Sequence, residues 1–386
     1  MTETLTSDEL VALVRRVFVP RSTDTGLLFL LDLPDADTPD HEEWRARRAL
    51  ACEWTQALAA REAELGFATH LVCYPNVHTN NGDLPSGACF WSEAQPPGDA
   101  TILRGRPVVP WSTLFAEHSL AIALTEMSAT APLKVMAKAL GLRAATMPGF
   151  NAQMVPALRV DYGEVNRRVH FLKRLLDDAV RAEIVFAEST CEHALLLDLR
   201  FRTAHASGGL LDLPGTAGNL PSGEAYIVPY EGERTGEPSR SAGVLPVQFG
   251  DEVVRYRIVE NRAVEVLSQG PHSMAEAALL AREPAYGNLA ELGLGVLAAF
   301  GLKPIGAVLL DEKLGLHIAF GRSEHFGGQV GPAQFSSPMA VVHIDRVYVP
   351  EVQPQVCVRS LILRFADGRQ LPLMQDGRYV VAFDES

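Results

Sequence analysis

Two hydrophobic periods alternate along the first two hundred residues. "SDELVALVRRVF" spaces its apolar side chains as a helix does, and Thr6 with Glu9 supplies a capping-box pattern at its start. "LLFLLDL" is a short continuous apolar run suited to a buried strand. Asp40 with Glu43 then opens a long helical pattern that reaches about Gly66, and "ATHLVCYP" reads as the next strand. The same exchange follows in "SLAIAL" (strand), "PLKVMAKALG" (helix, closed by Gly141), "LRAATMPG" (strand), "GEVNRRVHFLKRLLDDAVRAE" (helix) and "IVFAES" (strand). Strands alternating with helices of this length predict an open, mostly parallel α/β sheet.

The texture changes after the Gly/Pro-dense stretch "AHASGGLLDLPGTAGNLPSG". Short β-rich runs follow: "EAYIVPY", "VVRYRIVE", "GLHIAFG", "VVHIDRVYV", "VCVRSLILRF" and "RYVVAF". Turns such as "ADG" and "QDG" join them, and helical patterns at "MAEAALLAR" and "NLAELGLGVLAAFG" interrupt them. The predicted class is therefore α/β, with an N-terminal open, mostly parallel α/β domain over 1–205 and a β-rich α+β C-terminal domain over 206–386. A length of 386 residues fits two cores better than one. The turn "GNLPSGEAYIVP" has a near copy in "GDLPSGACF", but Ala88 stands where the later turn has Glu224. No longer self-similarity surrounds the two, so they do not mark a repeat.

Composition narrows the partners. With 34 basic and 47 acidic residues the formal charge is −13, which disfavours a broad grip on nucleic-acid backbones. The acidic start and the short apolar runs argue against a secretory signal or a membrane span, so a cytoplasmic protein is expected. Five scattered cysteines without CxxC spacing (Cys52, Cys73, Cys89, Cys191 and Cys357) read as buried reduced thiols; a nucleophilic Cys89 or Cys191 has no spacing behind it.

The metal-capable side chains gather in the C-terminal half. His343 and Asp345 stand two apart on a strand, hence on one face, which suits either a divalent ion or an ordinary salt-bridged pair. His317 lies inside an apolar strand, where a single histidine ordinarily just bonds a backbone carbonyl. His325 follows eight residues later, before Gly327 and Gly328. Glu291 interrupts an apolar, helix-like stretch, so it needs a cation, a proton or an exposed face. The nucleophile elbow GxSxG, the phosphate-binding GxGxxG and Walker patterns, and HExxH are all absent.

In order and spacing, "GNLPSGEAYIVP", "NLAELGLG", "LDEKLGLHIAFG…FGG" and "VVHID" resemble the thermophilic-type metalloaminopeptidases (aminopeptidase T/S-like, peptidase family M29). A fainter likeness covers "LKVMAKALGLRAATMPGF", "VDYGEV" and "EHALLLDLRFR", so the resemblance spans about residues 120 to 350. It implies one or two divalent ions, Zn or Co foremost and Mn or Fe(II) as alternatives, that hydrolyse the N-terminal bond of short peptides. Carried over residue by residue, it implies Glu224, Glu291, His317, His343 and Asp345 as metal ligands, Glu291 lying near both ions. It also implies a homodimer acting on a short peptide or small molecule, without nucleic acid or membrane.

Two departures qualify it. The tyrosine that such aminopeptidases carry shortly after the "HIAFG"-type histidine is missing; Glu324 and His325 occupy that neighbourhood, and His325 is the expected substitute donor. The first hundred residues also diverge. A related group with this fold opens the ring of a dihydroxypyridine with one non-heme iron, and a dioxygenase of that type is the alternative reading. Retention of all five candidate ligands favours the hydrolase.

Overall fold

The computed structural model describes residues 3–383, and its chain divides into two compact units. Residues 1–165 with 209–222 form the first; 166–208 with 223–386 form the second. The sequence predicts a single boundary at 205/206; here residues 166–205 lie in the second unit and 209–222 return to the first.

The first unit is built on a seven-stranded sheet. Its order is Thr216–Asn219, Arg143–Thr146, Leu120–Ala123, Gly26–Leu33, Ala68–Pro75, Gly87–Phe90 and Val109–Pro110. The first five run parallel, and the last two add antiparallel pairs. All eight residues of Gly26–Leu33 are buried, as expected of a central parallel strand. The Ser7–Phe18 helix carries the expected capping box, with Glu9 N donating to Thr6 Oγ1 and Thr6 N to the Glu9 carboxylate. The long helix is shorter than its pattern: it runs Glu42–Ala59, and a separate turn Glu62–Leu65 ends at Gly66 in the left-handed conformation. His41 caps it, because Asp40 is engaged by the buried guanidinium of Arg48 at 3.0 and 2.8 Å. A buried cation left without that partner would be costly.

The second unit holds two antiparallel sheets. Eight strands follow the order Arg262–Val266, Glu252–Val259, Ala242–Phe249, Glu192–Asp198, Ala179–Ala187, Cys357–Phe365, Gln370–Gln375, Arg378–Tyr379. Five more follow the order His343–Val347, Leu316–Gly321, Leu289–Gly295, Glu224–Ile227, His205–Ser207. The helix expected to reach Glu183 ends at Asp178. Beyond it Ala182, Ile184 and Phe186 are buried in alternation, and that period of two makes a strand.

Two further expectations are corrected. Cys52, Cys73 and Cys89 are buried free thiols, but Cys191 and Cys357 are exposed. "NLAELGLG" is a strand, not a helix. Glycines at 293 and 295 each cost a helix about 1 kcal/mol, while Ala290, Leu292 and Leu294 alternate with Glu291, Gly293 and Gly295. Among the described residues no helix is long and apolar enough to cross a membrane.

One buried carboxylate makes the first unit pH-sensitive. Asp32 is fully buried at the end of its strand and accepts from Glu126 N and Met127 N, both at 2.8 Å, and from Trp44 Nε1 at 3.2 Å. Burial outweighs these donors and pushes its carboxyl up to about 6. A pKa above the unfolded value means that the folded form binds more protons in that interval, so stability falls as pH rises from about 4 through about 6. The expected loss is at most about 3 kcal/mol, at 1.36 kcal/mol per unit. Denaturant unfolding at both ends of that window should show this component in the wild type and not in Asp32→Asn; equal slopes would remove Asp32 as its source.

Candidate metal centre

The five-stranded sheet gathers the candidate ligands on one face. Side chains two apart share a face, and residues paired across strands continue it. Glu224 pairs with Gly295, Gly293 with His317, Glu291 with Ala319, Ala319 with Asp345, and Gly321 with His343. One face thus carries Glu224, Glu291, His317, His343 and Asp345, and the positions between them are Gly293, Gly295, Ala319 and Gly321. The small residues make room. A Cβ on Gly293 would lie 1.9 Å from His317 Nε2, and one on Gly295 would lie 2.2 Å from the backbone of Lys313. Gly223, just before Glu224, works from the other side: Val296 N donates to its carbonyl at 2.9 Å, and a Cβ there would meet the buried Leu297 at 2.6 Å. That close fit fixes where Glu224 enters the sheet.

Glu291 joins two triads. Its Oε1 is 3.2 Å from His317 Nε2, and Glu224 Oε2 is 3.3 Å from the same nitrogen. Its Oε2 is 3.5 Å from His343 Nε2, which also lies 3.6 Å from Asp345 Oδ1. In each triad, Glu224/Glu291/His317 and Glu291/His343/Asp345, one donor atom per residue lies within 4.8 Å of the others. Charge-assisted N–H···O bonds are usually about 2.7–2.9 Å, whereas ligand atoms around one ion stand roughly 3.3 Å apart at bonds near 2 Å. The separations here match ligands. His317 Nδ1 faces Gly315 O at 3.3 Å and His343 Nδ1 faces Arg322 O at 2.8 Å. A ring nitrogen bonded to a carbonyl donates, which leaves each Nε2 as the free donor atom toward the cluster. Glu224 Oε2 accepts no hydrogen bond from any described residue. The buried His/Glu group is consistent with a divalent metal site.

Without a metal, the cluster balances its own charge. Burial opposes ionisation of Glu224, but Lys313 and His317 hold its carboxyl at about 2. Burial likewise opposes Glu291, and His317 and His343 hold it at about 2. Burial disfavours both imidazolium ions, yet Glu224 and Glu291 raise His317 well above its ordinary value, and Asp345 and Glu291 do the same for His343. The positive charge drawn onto the rings is what a divalent ion would supply in their place.

Sequence reasoning missed two residues of this group. Lys313 is buried, donates to Glu224 Oε1 at 2.5 Å and also binds Glu312. Burial, despite Lys313, pushes the Glu312 carboxyl up to about 8. The available signal was their place in "LDEKLGLH", directly before His317. Tyr226, two residues after Glu224 on the same face, stacks on His205 at 5.0 Å and meets Phe326 edge-on at 4.9 Å.

His325 belongs to neither triad but stands beside one. Its ring centre is 5.4 Å from that of His343, nearly perpendicular, and a quarter of its side chain is exposed. Burial, then His343 and Arg322, lower its pKa to about 4, so it is neutral near pH 7. Other donors nearby are committed: Arg322 binds Glu324 through two contacts of 2.6 Å, and the Tyr348 hydroxyl donates to Pro246 O.

No family model matches the sequence, and comparison with curated proteins yields no match. Solved structures do match over the full length. A 2,5-dihydroxypyridine dioxygenase from Pseudomonas putida KT2440 superposes with a TM-score of 0.61 at 14% identity, covering 98% of this chain and 99% of that one. Wild-type AmpT from Thermus thermophilus, an M29 aminopeptidase, gives 0.55 at 16% identity, covering 97% and 98%. The chain shares the fold of both.

The glycine floor can be tested without altering a ligand. Gly293→Ala should displace the His317 ring and weaken metal binding by about 10- to 100-fold, the usual cost of disturbing a ligand's support. Metal content after dialysis reads this directly; full retention would show that the ring needs no such space.

Proposed function

We propose that this chain is a metal-dependent hydrolase that cleaves the N-terminal peptide bond, or a related amide, of a short peptide or small molecule. The observation that supports it most is the position of Glu291, whose two oxygens face two imidazoles and divide five residues into two triads. A carboxylate so placed would suit sharing by two ions. Two imidazoles and three carboxylates suit Zn or Co, with Mn or Fe(II) as alternatives. Bound there, such ions supply Lewis-acid polarisation of a carbonyl and a lowered pKa for water.

The chain's own groups have separable roles in this reading. Glu224, His317, His343 and Asp345 would hold the ions, and Glu291 would help hold them and stand as the carboxylate that takes up a proton during hydrolysis. Lys313 fixes Glu224 and Glu312 in place. His325, neutral and beside His343, donates to the oxygen on which charge develops, in place of the missing tyrosine. As a cytoplasmic protein it would meet such peptides from protein turnover, and we propose that it works as a twofold homodimer. Sizing at micromolar concentration should give twice the monomer mass.

One feature favours a second reading. His317 and His343 flank Glu291, and two imidazoles with one carboxylate are the ligand types of a facial set for one non-heme iron; a protein of this fold is a 2,5-dihydroxypyridine dioxygenase.

Chelator-stripped protein reloaded in parallel with Zn, Co or Fe(II) separates the two. The hydrolase should bind about two ions per chain at this cluster and release amino-terminal residues from short peptides. His325→Ala should keep its metal while kcat falls about 10²-fold or more, whereas His343→Ala should lose metal. A single iron, with oxygen consumed on a dihydroxypyridine and no peptidase activity, would replace this reading with the dioxygenase.

A further inference from the structure

Away from the Glu291 cluster, a second set of metal-capable side chains converges on the eight-stranded sheet. It sits at the turn joining Ala179–Ala187 to Glu192–Asp198. Glu188 N donates to Cys191 O at 2.9 Å, and Ala187 pairs with Glu192, so the turn is tight and its ends are fixed. Glu188 Oε1 lies 2.7 Å from His193 Nε2, and Cys191 Sγ lies 3.3 Å from the same nitrogen. One donor atom from each of the three lies within 4.8 Å of the others. The Glu188 side chain is 8% exposed and that of His193 15%, while Cys191 is open to solvent.

The direction of approach distinguishes two chemistries. A nucleophilic thiol relay places the cysteine on one ring nitrogen and the orienting carboxylate on the other. Here both meet Nε2. Convergence on one point is the geometry of ligands around an ion, and the sulfur–nitrogen separation is already close to the tetrahedral value for bonds of about 2.3 and 2.0 Å, while the 2.7 Å oxygen–nitrogen contact is a hydrogen bond that an ion would replace. Arg255 supports this arrangement. Its Nε and Nη2 bind Glu188 Oε1 and Oε2 at 2.9 and 2.6 Å, fixing the carboxylate as outer groups around metal ligands do.

We propose that Glu188, Cys191 and His193 form a separate site for one borderline divalent ion, Zn2+ or Co2+, with three protein ligands and an open fourth position. Thiolate, imidazole and carboxylate together select such ions over Mg2+ and Ca2+. On binding, the Cys191 thiol gives its proton to solvent as the sulfur–metal bond forms, and Glu188 Oε1 exchanges the ring nitrogen for the ion while Oε2 stays on Arg255. The site shares no residue with the Glu291 cluster, and that cluster contains no sulfur.

That difference supplies the test. Reduced, chelator-stripped full-length protein is titrated with Co2+ and followed in the near ultraviolet, where only a thiolate-bound cobalt gives a charge-transfer band. The band should saturate at about one equivalent and bleach when Zn2+ is added. Cys191→Ser should abolish it and lower total bound cobalt by one ion per chain, and Cys357→Ser should leave both unchanged. His193→Asn should weaken cobalt affinity for the band by at least about 10-fold. No band in the wild type at saturating cobalt, or an unchanged band in Cys191→Ser, overturns the proposal, whatever the metal content of the Glu291 cluster.

Discussion

Five ionisable side chains on one sheet face, three of them buried, must have their charges cancelled by one another and by the buried Lys313, and most of the second unit's local design follows from that need. An isolated carboxylate at the position of Glu291 would cost several kcal/mol. It is tolerated because His317 and His343 stand on either side of it, and Glu224 is tolerated because Lys313 reaches it. Removing one partner leaves a buried charge uncompensated, which is more damaging than never having had the pair. The cluster therefore behaves as a unit, and single substitutions in it should not be additive.

The glycines are the second half of this constraint. Imidazole rings and carboxylates can lie flat over a sheet only where the intervening positions have no side chain of their own. Gly293 and Gly295 beneath the cluster, with Ala319 and Gly321 beside them, meet that condition. A strand with this many glycines is weak by propensity, and Leu292 and Leu294, both fully buried on the opposite face, hold it in place.

Much of this was legible in the sequence, though unevenly. The first unit's alternating strands and helices followed from hydrophobic period alone, because a parallel sheet buries its strands on both faces and leaves an unmistakable apolar run. The strand around Glu291 did not read correctly: apolar residues flanking a glutamate resemble a helix unless the glycines are given weight. Lys313 and Glu312 were passed over as site residues despite their place in "LDEKLGLH", since a charged pair before a strand is ordinarily solvated and only the fold turns it inward. The separation of Cys191 from the buried cysteines depended likewise on a turn whose exposure no local pattern encodes. Hydrophobic period reports which face is buried. It does not report which polar residues accompany it.

The eight-stranded sheet carries a consequence for how the protein comes into being. Cys357–Phe365 lies between Ala179–Ala187 and Gln370–Gln375, so a strand made early has its neighbour supplied from the last tenth of the chain. Until the ribosome has released that segment, the edge of Ala179–Ala187 is an unpaired template open to wrong partners. The eight-stranded sheet therefore cannot close until residues 357–365 have been made. Asp345 also emerges late, so the five-residue cluster cannot assemble before that strand is made, and until then the chain carries both an open strand edge and unbalanced charges that need guarding.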